Sequence, residues 1–183
     1  MITKEEYIQL KAFARVDGLV LGGIMMATFL AFVRSLTNAD WQIAYIAGIV
    51  FVPIFVALRV RNYRDRIVER RVSFRRALAY SMFCFGYASL VFSLAVLLYL
   101  QYFDKGSLLA GLQEYFRSPE MAEAMKNYGV NASAMKAELD AVSTLRPVDV
   151  AFSMISNTLI TGLVCSVIIA LLSRREPKKV MRS

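Results

Sequence analysis

Four apolar stretches, Val16 to Val33, Trp41 to Leu58, Ala77 to Leu100 and Val150 to Leu172, are each close to or beyond the length of a bilayer crossing. At about 1.5 Å rise per helical residue, roughly 20 apolar residues match a hydrocarbon layer of about 30 Å. Asp17, near the start of the first stretch, is the sole acidic or basic residue in any of them. The sequence therefore predicts an all-α, polytopic membrane protein. Residues 1–183 are expected to form a single four-helix membrane domain, with spans at about 16–36, 41–60, 77–100 and 150–172 and an outer insertion of short helices at 104–149 between the third and fourth.

Composition agrees and removes several kinds of chemistry. The chain is 57% hydrophobic with a mean hydropathy of +0.49. It contains no histidine, which excludes histidine metal sites, histidine general bases and histidine pH switches. Cys84 and Cys165 both fall inside spans, away from oxidising solvent, and read as small packing residues rather than a disulfide. Met1 to Arg15 carries charges throughout and the first apolar run is span-length, so a cleaved leader is not expected.

The net charge of +8 is partitioned rather than diffuse. The second and third spans are joined by Arg59, Arg61, Arg64, Arg66, Arg70, Arg71, Arg75 and Arg76, and both termini are basic. Basic residues flanking short loops stay cytoplasmic, so this loop and both termini are expected inside. Sixteen basic residues then lie inside and six outside, while Asp40, Asp104, Glu114, Glu120, Glu123, Glu138, Asp140 and Asp149 lie outside. The charge signals orientation and an affinity for anionic lipid head groups, not nucleic acid. Trp41, Tyr45, Tyr99, Tyr102 and Phe103 gather where an interfacial aromatic belt belongs.

Local patterns fill in the pieces. Ile2 to Arg15 reads as a separate short helix at the inner interface. Gly18 and Gly22, continued by Gly23, Ala27 and Ala31, make a small-residue stripe for close helix approach within the chain. Pro53 removes a backbone donor and predicts a kink near Ile49, and Ser73 is placed to cap the third helix. In the insertion, Leu108 to Phe116, Met121 to Tyr128 and Met135 to Leu145 have helical apolar spacing, broken by Pro119, Gly129 and Pro147, with Ser118 and Pro119 placed as cap and first-turn proline of the second. Leu112, Phe116, Met125 and Leu139 are expected to be mostly buried and to offer a surface to a partner; Glu114, Glu123 and Lys136 should face water.

Candidate sites are few. Ser153, Asn157, Thr161 and Cys165 recur every fourth residue of the last span, and with Ser93 they are read as interhelical polar packing. Counting from the span ends puts Ser93 level with Asn157, and Cys84 level with Cys165, which fits antiparallel contact of the third and fourth spans. Asp17 is assigned to helix-start stabilisation or pairing with Arg15. Arg70, Arg71, Arg75 and Arg76 are the candidates for contact with anionic lipid or phosphate. No metal cluster, phosphate-binding glycine loop or catalytic triad can be assembled from the sequence, so neither catalytic residues nor a cofactor are expected.

The glycine-rich Asp17-Gly18-Leu19-Val20-Leu21-Gly22-Gly23, the Val72-Ser73-Phe74-Arg75-Arg76-Ala77 approach to the third span, and the long loop after Tyr99-Leu100-Gln101-Tyr102-Phe103 together resemble the small four-span proteins of Bacteroidota known as domain of unknown function 4199. That resemblance covers most of the chain. It implies a bacterial inner-membrane location and brings no activity or catalytic residues. Genes of such proteins often stand near a polyprenyl-phosphate glycosyltransferase, which implies an accessory role.

Two functions are compatible with the sequence. One is a non-enzymatic inner-membrane accessory or scaffold protein that assists an envelope-assembly partner, with the bilayer and anionic lipids as its surroundings. The other is a membrane enzyme or transporter handling a lipid-linked phosphate at the arginines. Homo-oligomerisation is left open by the sequence.

Overall fold

The computed structural model describes residues 4–66, 73–119 and 144–173, together with residues 121, 123, 127, 137 and 140. Among the described residues the long elements are all helices: α1 (Lys4–Ser35), α2 (Trp41–Arg66), α3 (Phe74–Tyr102), α4 (Ser107–Arg117) and α5 (Pro147–Ser173). Four of them, α1, α2, α3 and α5, are long and apolar enough to cross a membrane. Their outward faces carry large apolar side chains, such as Ile43 at 77% exposure, Ile160 at 66% and Leu172 at 70%. A water-soluble monomer does not display apolar surface on that scale, whereas hydrocarbon solvates it.

The separate helix expected at residues 2–15 is replaced by one unbroken α1. Lys4 to Arg15 contains good helix formers and no breaker before Gly18, so nothing ends the helix there. Packing holds it in line: Leu10 and Ala14 are buried, Tyr7 meets Phe83 of α3 edge-to-face at 5.8 Å, and Arg76 donates to Glu6. α2 likewise continues as helix through Pro53.

α3 is the centre of the bundle, with α1 against one side and α5 against another. Small residues set both approaches. A Cβ on Gly18 would lie 2.8 Å from the Cys84 carbonyl oxygen, one on Gly22 would lie 2.7 Å from the Val91 Cβ, and one on Gly162 would lie 2.7 Å from the Phe85 Cβ. Gly23 has nothing within 4 Å and Ala27 is exposed, whereas Ala31 is buried, so the expected small-residue stripe packs at Gly18, Gly22 and Ala31 but not at Gly23 and Ala27. In hydrocarbon, where apolar association brings no hydrophobic gain, close backbone packing of this kind is a main source of helix association. The contact of α3 with α5 is the one that depth counting anticipated.

Helix ends are capped as the sequence indicated, with one addition. Ser73 accepts from the Arg76 amide at 3.4 Å, and Ser118 accepts from the Met121 amide at 3.3 Å. Asp104, almost fully buried, accepts from the Leu108 amide and the Ser107 hydroxyl, both at 2.8 Å. The chain turns back there through Lys105 (φ 42°) and Gly106 (φ 87°), and Gly111 then seats α4 against Leu36. Arg146 donates to Asp149 from both its backbone amide and its guanidinium, a hydrogen bond that raises the guanidinium pKa above its ordinary value.

Of the three predicted insertion helices, the first is present as α4; the stripes at Met121–Tyr128 and Met135–Leu145 lie mostly outside the described residues. Leu112 and Phe116 are half-buried rather than fully so, because it is Gly111 that faces α1. Glu114 and Glu123 face outward; Met125, Leu139 and Lys136 are outside the described residues.

Candidate functional site

The most unusual group in the membrane region is Asp17. It is 2% exposed and sits well inside α1, not at its start. An unpaired carboxylate in that setting would be very costly, so its partners define the site. They come from two other helices. Arg59 of α2 donates to Oδ1 through Nε at 2.7 Å and through Nη2, and the Tyr80 hydroxyl of α3 donates to Oδ2. Both carboxylate oxygens are thereby engaged. Arg15, the partner suggested by nearness in sequence, is exposed and makes none of these bonds: residues two apart in a helix point about 160° apart, and Asp17 faces inward.

Each helix brings its residue to this point for a local reason. Gly18, next to Asp17, allows the α1 backbone to approach α3 at Cys84, one turn beyond Tyr80. Tyr80 is held by a stacked Tyr63 at 5.0 Å between ring centroids, and Tyr63 in turn meets Phe13 of α1 at 6.0 Å. Val56, three residues before Arg59, and Val60, immediately after it, are fully buried and fix that part of α2. The Arg59 side chain is 39% exposed, so the cluster touches its surroundings through the guanidinium alone.

A second polar contact lies just beyond. Arg64 is buried, paired with Asp65 at 2.8 Å, and its Nη1 donates to the carbonyl of Ser173 at 3.4 Å. Ser173 is the last described residue of α5, so this cation joins α2 to that end of α5. With the Glu6–Arg76 pair, these contacts tie α1 to α2, α1 to α3, and α2 to α5 at one end of the bundle. Chemically, this is a clamp. Its donors and acceptors satisfy one another.

The residues singled out from sequence are placed differently. Ser93 is buried, but its hydroxyl donates within α3 to the Leu90 carbonyl. Ser153, Asn157 and Thr161 are exposed, and Ser153 donates to Val150 of its own helix. The face of α5 turned inward instead carries Ala151, Thr158, Gly162, Ser166 and Ala170, because small side chains permit the closer approach to α3. The Ser166 hydroxyl is fully buried and has no hydrogen-bond partner. Arg75 is exposed, Arg76 is paired with Glu6, and Arg70 and Arg71 lie outside the described residues. Cys84 and Cys165 are free thiols.

A family model described as Protein of unknown function (DUF4199) matches residues 17–175, beginning at Asp17. The chain belongs to that family. No curated protein and no solved structure matches this DUF4199 chain.

Proposed function

We propose that this DUF4199 protein is a non-enzymatic accessory or scaffold protein of a bacterial inner membrane, with both termini cytoplasmic, assisting a membrane partner in envelope assembly such as a polyprenyl-phosphate glycosyltransferase. The observation that carries this reading is the use of the ionisable groups at the arginine end. Asp17, Arg59, Arg64, Glu6 and Arg76 are engaged in holding helices together, which is the role of a framework rather than of a reacting centre. Of Arg70, Arg71, Arg75 and Arg76, the arginines offered for lipid phosphate, Arg76 is paired with Glu6. Orientation follows from the arginines between α2 and α3. Purification in mild detergent with mass spectrometry of what copurifies tests the proposal. A stoichiometric membrane protein is expected; recovery of a tightly held polyprenyl phosphate with no protein partner would overturn it.

A further inference from the structure

The clamp gathers α1, α2, α3 and α5 at the arginine end, and toward the other end α2 parts from α5. α2 stays close to α1 along this length: a Cβ on Gly48 would strike the Thr28 hydroxyl, and Phe32 meets Tyr45 with ring centroids 5.1 Å apart. Across from α5, however, a cleft of about 440 Å³ remains, lined by Met25, Ile49, Pro53, Phe92, Met154 and Thr161 among others. Its walls are almost wholly apolar. It lies among span residues and opens sideways between two helices, so in a bilayer it faces hydrocarbon rather than water.

A second hollow, of about 430 Å³, adjoins it below α4 and shares Phe32 and Tyr45 as a wall. Here the lining is mixed and far more polar than that of the cleft: Ser35, Asn38, Gln42 and Glu114 contribute, and among its lining residues Glu114 is the one with a charged side chain. Polar hollow and apolar cleft in succession along the bilayer normal match the two halves of one amphiphile. An empty apolar cleft would forfeit the dispersion contacts that close packing supplies, and lipid chains are the apolar material at that depth. A lone carboxylate beside amides and a hydroxyl favours a head group bearing an ammonium and disfavours one with net negative charge.

We propose that the α2–α5 cleft is a binding site for one zwitterionic, ammonium-bearing phospholipid, with an acyl chain in the cleft and its head beside Glu114. The proposal rests on the chain spanning a membrane and not on the accessory role, so a missing protein partner leaves it standing.

The test uses the full chain reconstituted in vesicles containing a trace of phosphatidylethanolamine with a diazirine in its acyl chain, against phosphatidylglycerol carrying the same chain. Photo-adducts are mapped by mass spectrometry. Adducts are expected to concentrate at residues 45–53 and 154–165 over Leu19, Val20, Leu90 and Leu94, which are exposed but away from the cleft. The ethanolamine lipid should label the cleft about fivefold more than the glycerol lipid, the scale of one solvent-accessible charge contact. Glu114→Gln should remove that preference while labelling at Leu90 and Leu94 stays unchanged. Thr161→Trp should reduce cleft labelling without changing the helical circular dichroism. Uniform labelling of all exposed apolar positions, equal labelling by the two lipids in the unmodified chain, or crosslinks from the cleft to a second copy would each overturn the assignment. Because the mapping on the unmodified chain stands alone, a variant that fails to fold does not remove the test.

Discussion

Replacing Arg59 by methionine leaves Asp17 in place with Tyr80 as its remaining donor, and this single change probes the clamp most directly. Asp17 has a side chain only 4% exposed, so the carboxylate cannot turn to water, and breaking a buried ion pair from this side costs about 3–5 kcal/mol. Asp17→Asn removes the other partner, but Arg59 is 39% exposed and its guanidinium can reach solvent or head groups. Asparagine also keeps the shape and one acceptor for Tyr80, so the loss should be about 1–2 kcal/mol. The inequality is the prediction: Arg59→Met is the worse substitution although its residue is the more exposed. In Asp17→Asn/Arg59→Met, no buried charge is left unpaired, so the double variant should be more stable than Arg59→Met alone, with a coupling of about 2 kcal/mol or more. Reversible unfolding in mixed micelles, followed by circular dichroism across a dodecyl sulfate titration, reads all four proteins. Equal losses in the two single variants with an additive double would refute the reasoning, because the carboxylate would then be solvated or otherwise satisfied.

Gly18→Val should prevent the α1–α3 approach and sharply reduce folded protein, whereas Gly23→Ala should be tolerated, since a Cβ at Gly23 has nothing within 4 Å; detergent-solubilised yield compares them. Arg64→Gln should destabilise by about 1–3 kcal/mol through loss of a charged hydrogen bond to the α5 terminus, read in the same titration. Cysteine introduced at Val68 should resist labelling by an impermeant reagent from the periplasmic side while one at Val130 reacts; strong labelling at 68 would reverse the proposed orientation. Replacing Arg70, Arg71, Arg75 and Arg76 together by glutamine should weaken binding to anionic vesicles cumulatively and in a salt-dependent way, each charge contributing about 1 kcal/mol at most.

How legible this was in the sequence depended on which physical rule applied. Spans, the Ser73 and Ser118 caps, and the α3–α5 pairing were readable because hydrophobic length and capping are local, and depth along a span is a count. The clamp was missed for want of the same count applied once more. Asp17 falls one residue into the first stretch, Arg59 one residue past Leu58 and Tyr80 three past Ala77, so all three lie at the arginine end. Depth alone would have offered Arg59 as a partner; attention to adjacency suggested Arg15. The polar stripe of α5 misled for a different reason. A four-residue recurrence of Ser153, Asn157 and Thr161 marks a face, but not whether that face meets protein, and the competing small residues Ala151, Thr158, Gly162 and Ser166 decided the packing.

The two kinds of contact in this bundle divide along its length, and that division explains its shape. In hydrocarbon, helices are not driven together by the hydrophobic effect, so they close only where small residues allow backbone contact or polar groups require partners. α1, α3 and α5 have glycines at their crossings, at Gly18, Gly22 and Gly162. α2 has Gly48 and Arg59 against α1, but toward α3 and α5 it has contacts at the arginine end, the stack of Tyr63 on Tyr80 and the Arg64 hydrogen bond to Ser173. It is therefore fastened to the far side of the bundle at one end and leaves it open at the other, where Tyr45, Ile49 and Pro53 face a space instead of a helix. A protein that needed a sealed four-helix core could close this gap with one small residue on α2 opposite Thr161. The gap thus follows from the placement of the polar clamp, and what fills it must be apolar and supplied by the membrane.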